Sequence, residues 1–211
     1  MQPMMCPVWF LGFGLAFQVI FFLVTLVIAL TGYQAYRFLH KEELKFHSIG
    51  FALLALSYLS LIVSSTSFIA YHIHGIVSVV AIHAHAFLFL AGIMVLLFSY
   101  LHIKDNATRG LLLLLTLAVI TIFNRPTSPI QDLAFYLLTA AMIGFIVFQL
   151  AKQCACKHKN TTTLVLVGFI LLFVGQIILA FATHAHTLFV VSTVINLSGF
   201  VSIAASRLMV K

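Results

Sequence analysis

Runs of about twenty apolar residues recur along the whole chain, and each is long enough to cross the roughly 30 Å of hydrocarbon in a bilayer. Inside that layer no water can satisfy backbone N–H and C=O groups, so a chain built this way spans as helices that bond internally or as a closed barrel. The runs are far longer than the nine to eleven residues of a barrel strand, and they do not alternate polar with apolar. Helices are therefore expected. Charged residues make up only 7% of the 211 residues and hydrophobic ones 63%. With four acidic residues, the chain cannot cover a water-facing surface, which excludes a soluble reading.

The runs place spans at about 8–32, 48–70, 78–103, 107–124, 131–151, 162–182 and 187–208. Turn-forming residues separate them, at His74-Gly75, at Asn124-Arg-Pro-Thr-Ser-Pro129 and at Lys157-His-Lys-Asn160. The fourth run is the shortest, with an apolar core from Gly110 to Phe123. The basic residues bear on whether it crosses. With seven spans, Arg37, Lys41, Lys45, Lys104, Arg109, Lys152, Lys157, Lys159, Arg207 and Lys211 gather on one side, and Arg125 stands alone on the other. With the fourth run left out, the same residues divide six against five. Basic residues concentrate on the cytoplasmic face. The expected fold is thus an all-α, polytopic bundle of seven transmembrane helices forming one domain, N-terminus outside and C-terminus inside, in the cell membrane.

The net charge of +7 accordingly orients helices and does not mark a nucleic-acid partner. The start, Met1-Gln-Pro-Met-Met-Cys-Pro7, lacks the basic residues and cleavage site of a secretory signal. Short echoes link the two ends of the chain: His83-Ala-His85 with His184-Ala-His186, Gly50-Phe51 with Gly168-Phe169, and Gln34 with Gln149. They fit a three-plus-one-plus-three plan, two parallel triplets joined by a connecting span.

Ten histidines stand out in so apolar a chain. Six of them, His72, His74, His83, His85, His184 and His186, fall near the outer face on this topology, from only two connections. Neutral imidazole ligates transition metals and haem, and ionisable residues beside a bilayer tend to face the bundle interior. Successive helical residues turn by about 100°, so a helical His-x-His sends its rings to opposite sides. One reading has one histidine of the third span and one of the seventh holding haem b between them. The other has three or four of the six holding Cu or Zn, with His72 and His74 as a second pair. Interfacial histidines that merely cap helix ends are the structural alternative. Cys154-Ala-Cys156-Lys-His158 and the Met1, Met4, Met5, Cys6 set are weaker soft-ligand candidates.

Gln18, Ser64, Ser65, Thr66, Gln176, Ser192, Thr193, Asn196 and Ser198 lie within spans and are expected to mediate helix packing. Asn196 is expected to bond Gln18 or Gln176. No acidic residue occupies the middle of a span, which argues against ion-coupled transport through buried carboxylates. No nucleophile–base or phosphate-loop motif occurs. The last span has neither the mid-span lysine of microbial rhodopsins nor the H-x-x-x-H of ceramidase-like hydrolases. With the SWEET sugar carriers the chain shares its plan but no Pro-Gln motif. The sequence thus supports an expectation of haem or metal binding near the outer face, in electron transfer or metal handling with a membrane or redox partner. A cofactor-free sensor or scaffold subunit and a facilitative small-solute carrier are the alternatives.

Overall fold

The computed structural model describes residues 11–71, 76–101, 110, 129–156, 160–182 and 186–209. Six helices fill these segments: α1 (Leu11–Leu39), α2 (Glu42–Tyr71), α3 (Ile76–Leu101), α4 (Pro129–Cys156), α5 (Asn160–Phe181) and α6 (His186–Leu208). All six are long and apolar enough to cross a membrane, and the chain is an all-helical, multi-pass membrane protein. The expected fourth span, 107–124, lies outside the described residues, apart from Gly110.

Apolar stripes recur at helical spacing on the outside of the bundle. Leu23, Val27 and Leu30 on α1, Leu56, Leu59 and Val63 on α2, and Val167, Ile170 and Val174 on α5 are all exposed. A face of this kind is stable against lipid and not against water. Several hydroxyls within the spans are accommodated by their own helix: Thr25 Oγ1 donates to the Phe21 carbonyl at 2.7 Å and Ser198 Oγ to that of Val194 at 2.9 Å.

Each helix packs on the next in sequence, and α6 packs back on α1, so the six make a closed ring. Hydrogen bonds stitch the first three together. Ser48 Oγ on α2 donates to the Ala29 carbonyl on α1 at 2.7 Å, and Ser99 Oγ on α3 donates to the Glu43 carbonyl on α2 at 3.0 Å. The α1–α2 turn is tight because His40 takes a left-handed φ of 52° and its N–H bonds the Tyr36 carbonyl at 2.8 Å, closing α1 as a left-handed C-cap does.

Glycines set the closest helix approaches. A Cβ on Gly92 of α3 would lie 2.9 Å from the Gly50 carbonyl oxygen of α2 and 3.0 Å from Leu54 Cγ. A Cβ on Gly199 of α6 would lie 2.8 Å from the Gly168 carbonyl oxygen of α5 and 2.9 Å from Leu172 Cγ. Bare backbone is what lets helices meet this closely. In both crossings the partner's next turn, Leu96 or Ile203, closes over the opposing glycine.

Helix direction follows from which ends meet. The cavity wall formed by Tyr100, Leu150, Thr161 and Arg207 joins the last turns of α3 and α6 and the final two turns of α4 to the first turn of α5. Earlier along, Phe89 of α3 meets Phe135 near the start of α4, with ring centroids 6.2 Å apart. Helices α3 and α4 are therefore neighbours that run in the same direction. The meeting end also carries Arg37, Lys41, Lys45 and Lys152 and is termed here the basic end.

Candidate functional site

An aromatic plug fills the middle of the ring. Phe21 of α1 stacks on Tyr58 of α2 at 4.9 Å and meets Phe200 of α6 edge-on at 5.7 Å. Tyr58 in turn meets Phe200 at 6.0 Å and Phe89 of α3 at 6.1 Å, and Phe51 meets Phe200 at 6.5 Å. Edge-to-face contacts at these separations are the favoured aromatic geometry. Phe51, Phe169 and Phe200 are wholly buried.

One helical turn from this plug, away from the basic end, lies a layer of polar side chains. Gln18 precedes Phe21 by three residues on α1, and Asn196 precedes Phe200 by four on α6, with both helices running toward the basic end. On α5 the carboxamide of Asn196 rests on Gly175, where a Cβ would overlap it, and Gln176 is the next residue. Three carboxamide oxygens, Gln18 Oε1, Gln176 Oε1 and Asn196 Oδ1, are buried here with no hydrogen-bond partner among the described residues. Asn196 was expected to bond Gln18 or Gln176, and its oxygen bonds neither. Its carboxamide instead packs against Gly175 at the α5–α6 approach. Buried acceptors left this way cost about 1–3 kcal/mol each, and hydroxyls of the same helix, such as Ser192 bonding the Phe189 carbonyl at 2.8 Å, avoid that cost.

The same layer holds His85 of α3. Its Nδ1 lies 2.7 Å from Ser57 Oγ and 3.1 Å from the Ser57 carbonyl oxygen, both on α2. The Ser57 hydroxyl also contacts the His85 carbonyl at 3.1 Å; because a carbonyl oxygen only accepts, the Nδ1 contact with the Ser57 carbonyl is a hydrogen bond when Nδ1 carries the proton. Nε2 then bears the lone pair. Tyr58 and Phe89 flank the ring, with centroids 6.1 and 5.8 Å away. His83 is half-buried and, two residues away in an unbroken helix, it points to another side, as His-x-His spacing requires.

Of the other sequence candidates, His186 is the first residue of α6. His72, His74, His158 and His184, with the ring of His186 and the thiol of Cys156, lie outside the described residues. Cys154 is a free, half-buried thiol. Among the described residues no three His, Cys, Asp or Glu side chains group as metal ligands. The glycine crossings also give a register. His85 lies seven residues before Gly92 and His186 thirteen before Gly199, a difference of about 9 Å along a helix at 1.5 Å per residue. The glycine and histidine echoes are thus out of phase with each other.

Comparison with protein families, curated proteins and solved structures finds no match for this chain.

Proposed function

We propose that this chain is a seven-span membrane carrier, N-terminus outside and built on a three-plus-one-plus-three plan, whose polar layer binds a small neutral solute rich in N–H or O–H donors. The observation that carries the reading is the set of three buried carboxamide oxygens, of Gln18, Gln176 and Asn196, with no hydrogen-bond partner among the described residues. A native bundle keeps such acceptors only where something donates to them, and a solute bearing several donors would satisfy them together. The Ser57-held His85 adds an acceptor in Nε2. The aromatic plug closes the layer toward the basic end, which suits an occluded carrier rather than an open pore. The two glycine crossings, α2 on α3 and α5 on α6, would let each pair move as one body. Seven spans are supported by the parallel run of α3 and α4: a chain that leaves α3 at the basic end must return to the opposite end before α4 begins.

The test is solute entry into proteoliposomes, followed by light scattering after an osmotic step with glycerol or urea. Vesicles holding the protein are expected to reswell faster than protein-free ones, and the double variant Q176L/N196L is expected to remove the difference. Identical swelling of wild-type and empty vesicles for both solutes would set this reading aside.

A second reading is favoured by the His85–Ser57 pair. A metal-bound imidazole usually donates its other ring N–H to a fixed acceptor, and His85 Nε2 would be the ligand atom for haem b or a Cu or Zn ion, in membrane electron transfer or metal handling. His83, His184 and His186, with His72 and His74 as a further pair, would supply the remaining ligands. Haem would appear as a Soret band and an ion in metal analysis, either one lost in His85→Ala and kept in Asn196→Leu. A colourless, metal-free wild-type protein leaves the carrier reading alone.

A further inference from the structure

The end of the bundle opposite the polar layer carries a second, independent feature. A cavity of about 170 Å³ opens between α3, α4, α5 and α6. Arg207 comes to it from the last turn of α6, Thr161 and Thr162 from the first turn of α5, Tyr100 from the last turn of α3, and Leu150 forms an apolar wall on α4. Ser206 also lines it, but its hydroxyl is committed to the Ile203 carbonyl at 2.6 Å. Among the described residues no carboxylate is on the wall. Among the described residues the ion pair is Lys45 with Glu42, at 3.7 Å on the exposed start of α2, and Arg207 takes no part in it. Among the described residues Arg207 Nε is buried without a hydrogen-bond partner, and so is His47 Nε2, behind Tyr100, whose ring meets that of His47 edge-on at 5.8 Å.

A guanidinium half-sunk in a helical bundle is costly unless an anion pairs with it. Among the described residues the space in front of this one is lined by hydroxyls that can donate and by no anionic group. The threonine hydroxyls stand in the first turn of α5, where unpaired backbone N–H groups and the positive end of the helix dipole also face an anion. A guanidinium fork with several single donors matches the oxygens of a tetrahedral phosphate better than the two of a carboxylate. We infer that this cavity binds a phosphate group, presented either by a phospholipid headgroup at the membrane face or by free inorganic phosphate. The inference does not rest on the carrier reading, since no residue is shared between the two sites.

The experiment uses the full chain, purified and stripped of lipid in a phosphate-free detergent. Inorganic phosphate is titrated by calorimetry, and dioleoylphosphatidylglycerol retention is counted by native mass spectrometry, for wild type, Arg207→Gln, Arg207→Lys and the double variant T161V/T162V. One equivalent of phosphate or lipid is expected on the wild type. Arg207→Gln should weaken it at least about 10-fold, the value of a charge-assisted hydrogen bond. Arg207→Lys should lie between, and T161V/T162V should weaken binding with an unchanged helical spectrum. Retained lipid without phosphate binding identifies the headgroup as the source, and phosphate binding identifies the free anion. Either result supports the site. Equal binding by wild type, Arg207→Gln and T161V/T162V, or no binding of either probe by wild type, overturns it.

Discussion

Asn196 occupies a position that a leucine of nearly the same shape would fill more cheaply. Its oxygen is buried and has no partner among the described residues, so Asn196→Leu is expected to stabilise the detergent-solubilised protein by about 1 kcal/mol, since removing an orphaned acceptor relieves part of its desolvation cost. The same change should abolish solute entry in proteoliposomes. Thermal unfolding followed by size-exclusion elution reads the first effect, and a variant both less stable and fully active would contradict the assignment. Ser57→Ala acts in the opposite sense. It leaves the His85 Nδ1 with only the more distant carbonyl at 3.1 Å and is expected to lower stability by about 1 kcal/mol. Such contrasts could not be read from sequence. Gln18, Gln176 and Asn196 were visible as polar residues inside spans, but whether an amide finds a partner depends on how neighbouring helices are rotated. For His83 and His85 the spacing showed that the two rings diverge. It did not show that His85 is the one held by α2, because Ser57 gives no local sign of facing α3.

At the scale of the helix, the glycines divide by what stands in front of them. A Cβ at Gly92 or Gly199 meets the carbonyl oxygen of a facing glycine at 2.9 or 2.8 Å, and a backbone atom cannot swing aside. Gly92→Ala and Gly199→Ala are each expected to cost about 1–3 kcal/mol, the range for overpacking. A Cβ at Gly32 instead meets Ser48 Cβ at 3.5 Å, an ordinary contact. Gly32→Ala should therefore be neutral or stabilising by up to about 1 kcal/mol, the helix-propensity gain of Ala over Gly. Melting all three variants against wild type tests the ordering, which fails if Gly32→Ala proves as harmful as Gly199→Ala. The Gly50 and Gly168 echo points in sequence only to a repeat, and neither it nor Gly92 and Gly199 marks a helix crossing, since glycine in an apolar run is common. The helices also outrun the apolar stretches that announced them. Helix α1 was expected to stop near residue 32 and continues to Leu39, because Gln34, Ala35 and Arg37 are good helix formers and only the left-handed His40 ends it. Helix α2 was expected near residue 48 and begins at Glu42, with Glu42 and Glu43 in its first turn, where carboxylates favour the helix N-terminus. Apolar patterning marks the hydrocarbon-crossing part of a helix, not its ends.

For the molecule as a whole, the placing of Lys and Arg between apolar runs was legible in the sequence and gives an expected topology without any tertiary contact. Ring closure was not, since nothing in the spans says that α6 returns to α1. Charge and packing converge on the stretch between Leu101 and Pro129. The basic cluster divides ten to one only if that stretch crosses, and α3 and α4 lie parallel only if the chain changes ends between them. A direct check places single cysteines in a background where Cys6, Cys154 and Cys156 are replaced by serine. Lys41→Cys, Asn106→Cys and Lys159→Cys are expected to react with a membrane-impermeant maleimide only after cells are permeabilised, while Thr127→Cys reacts in intact cells. Asn106 and Thr127 carry the weight of the test, because they flank the stretch in question and the other two positions only fix which side is inside. Labelling of both from the same side would mean that the stretch does not cross, and the parallel neighbours α3 and α4 would then need a different path between them.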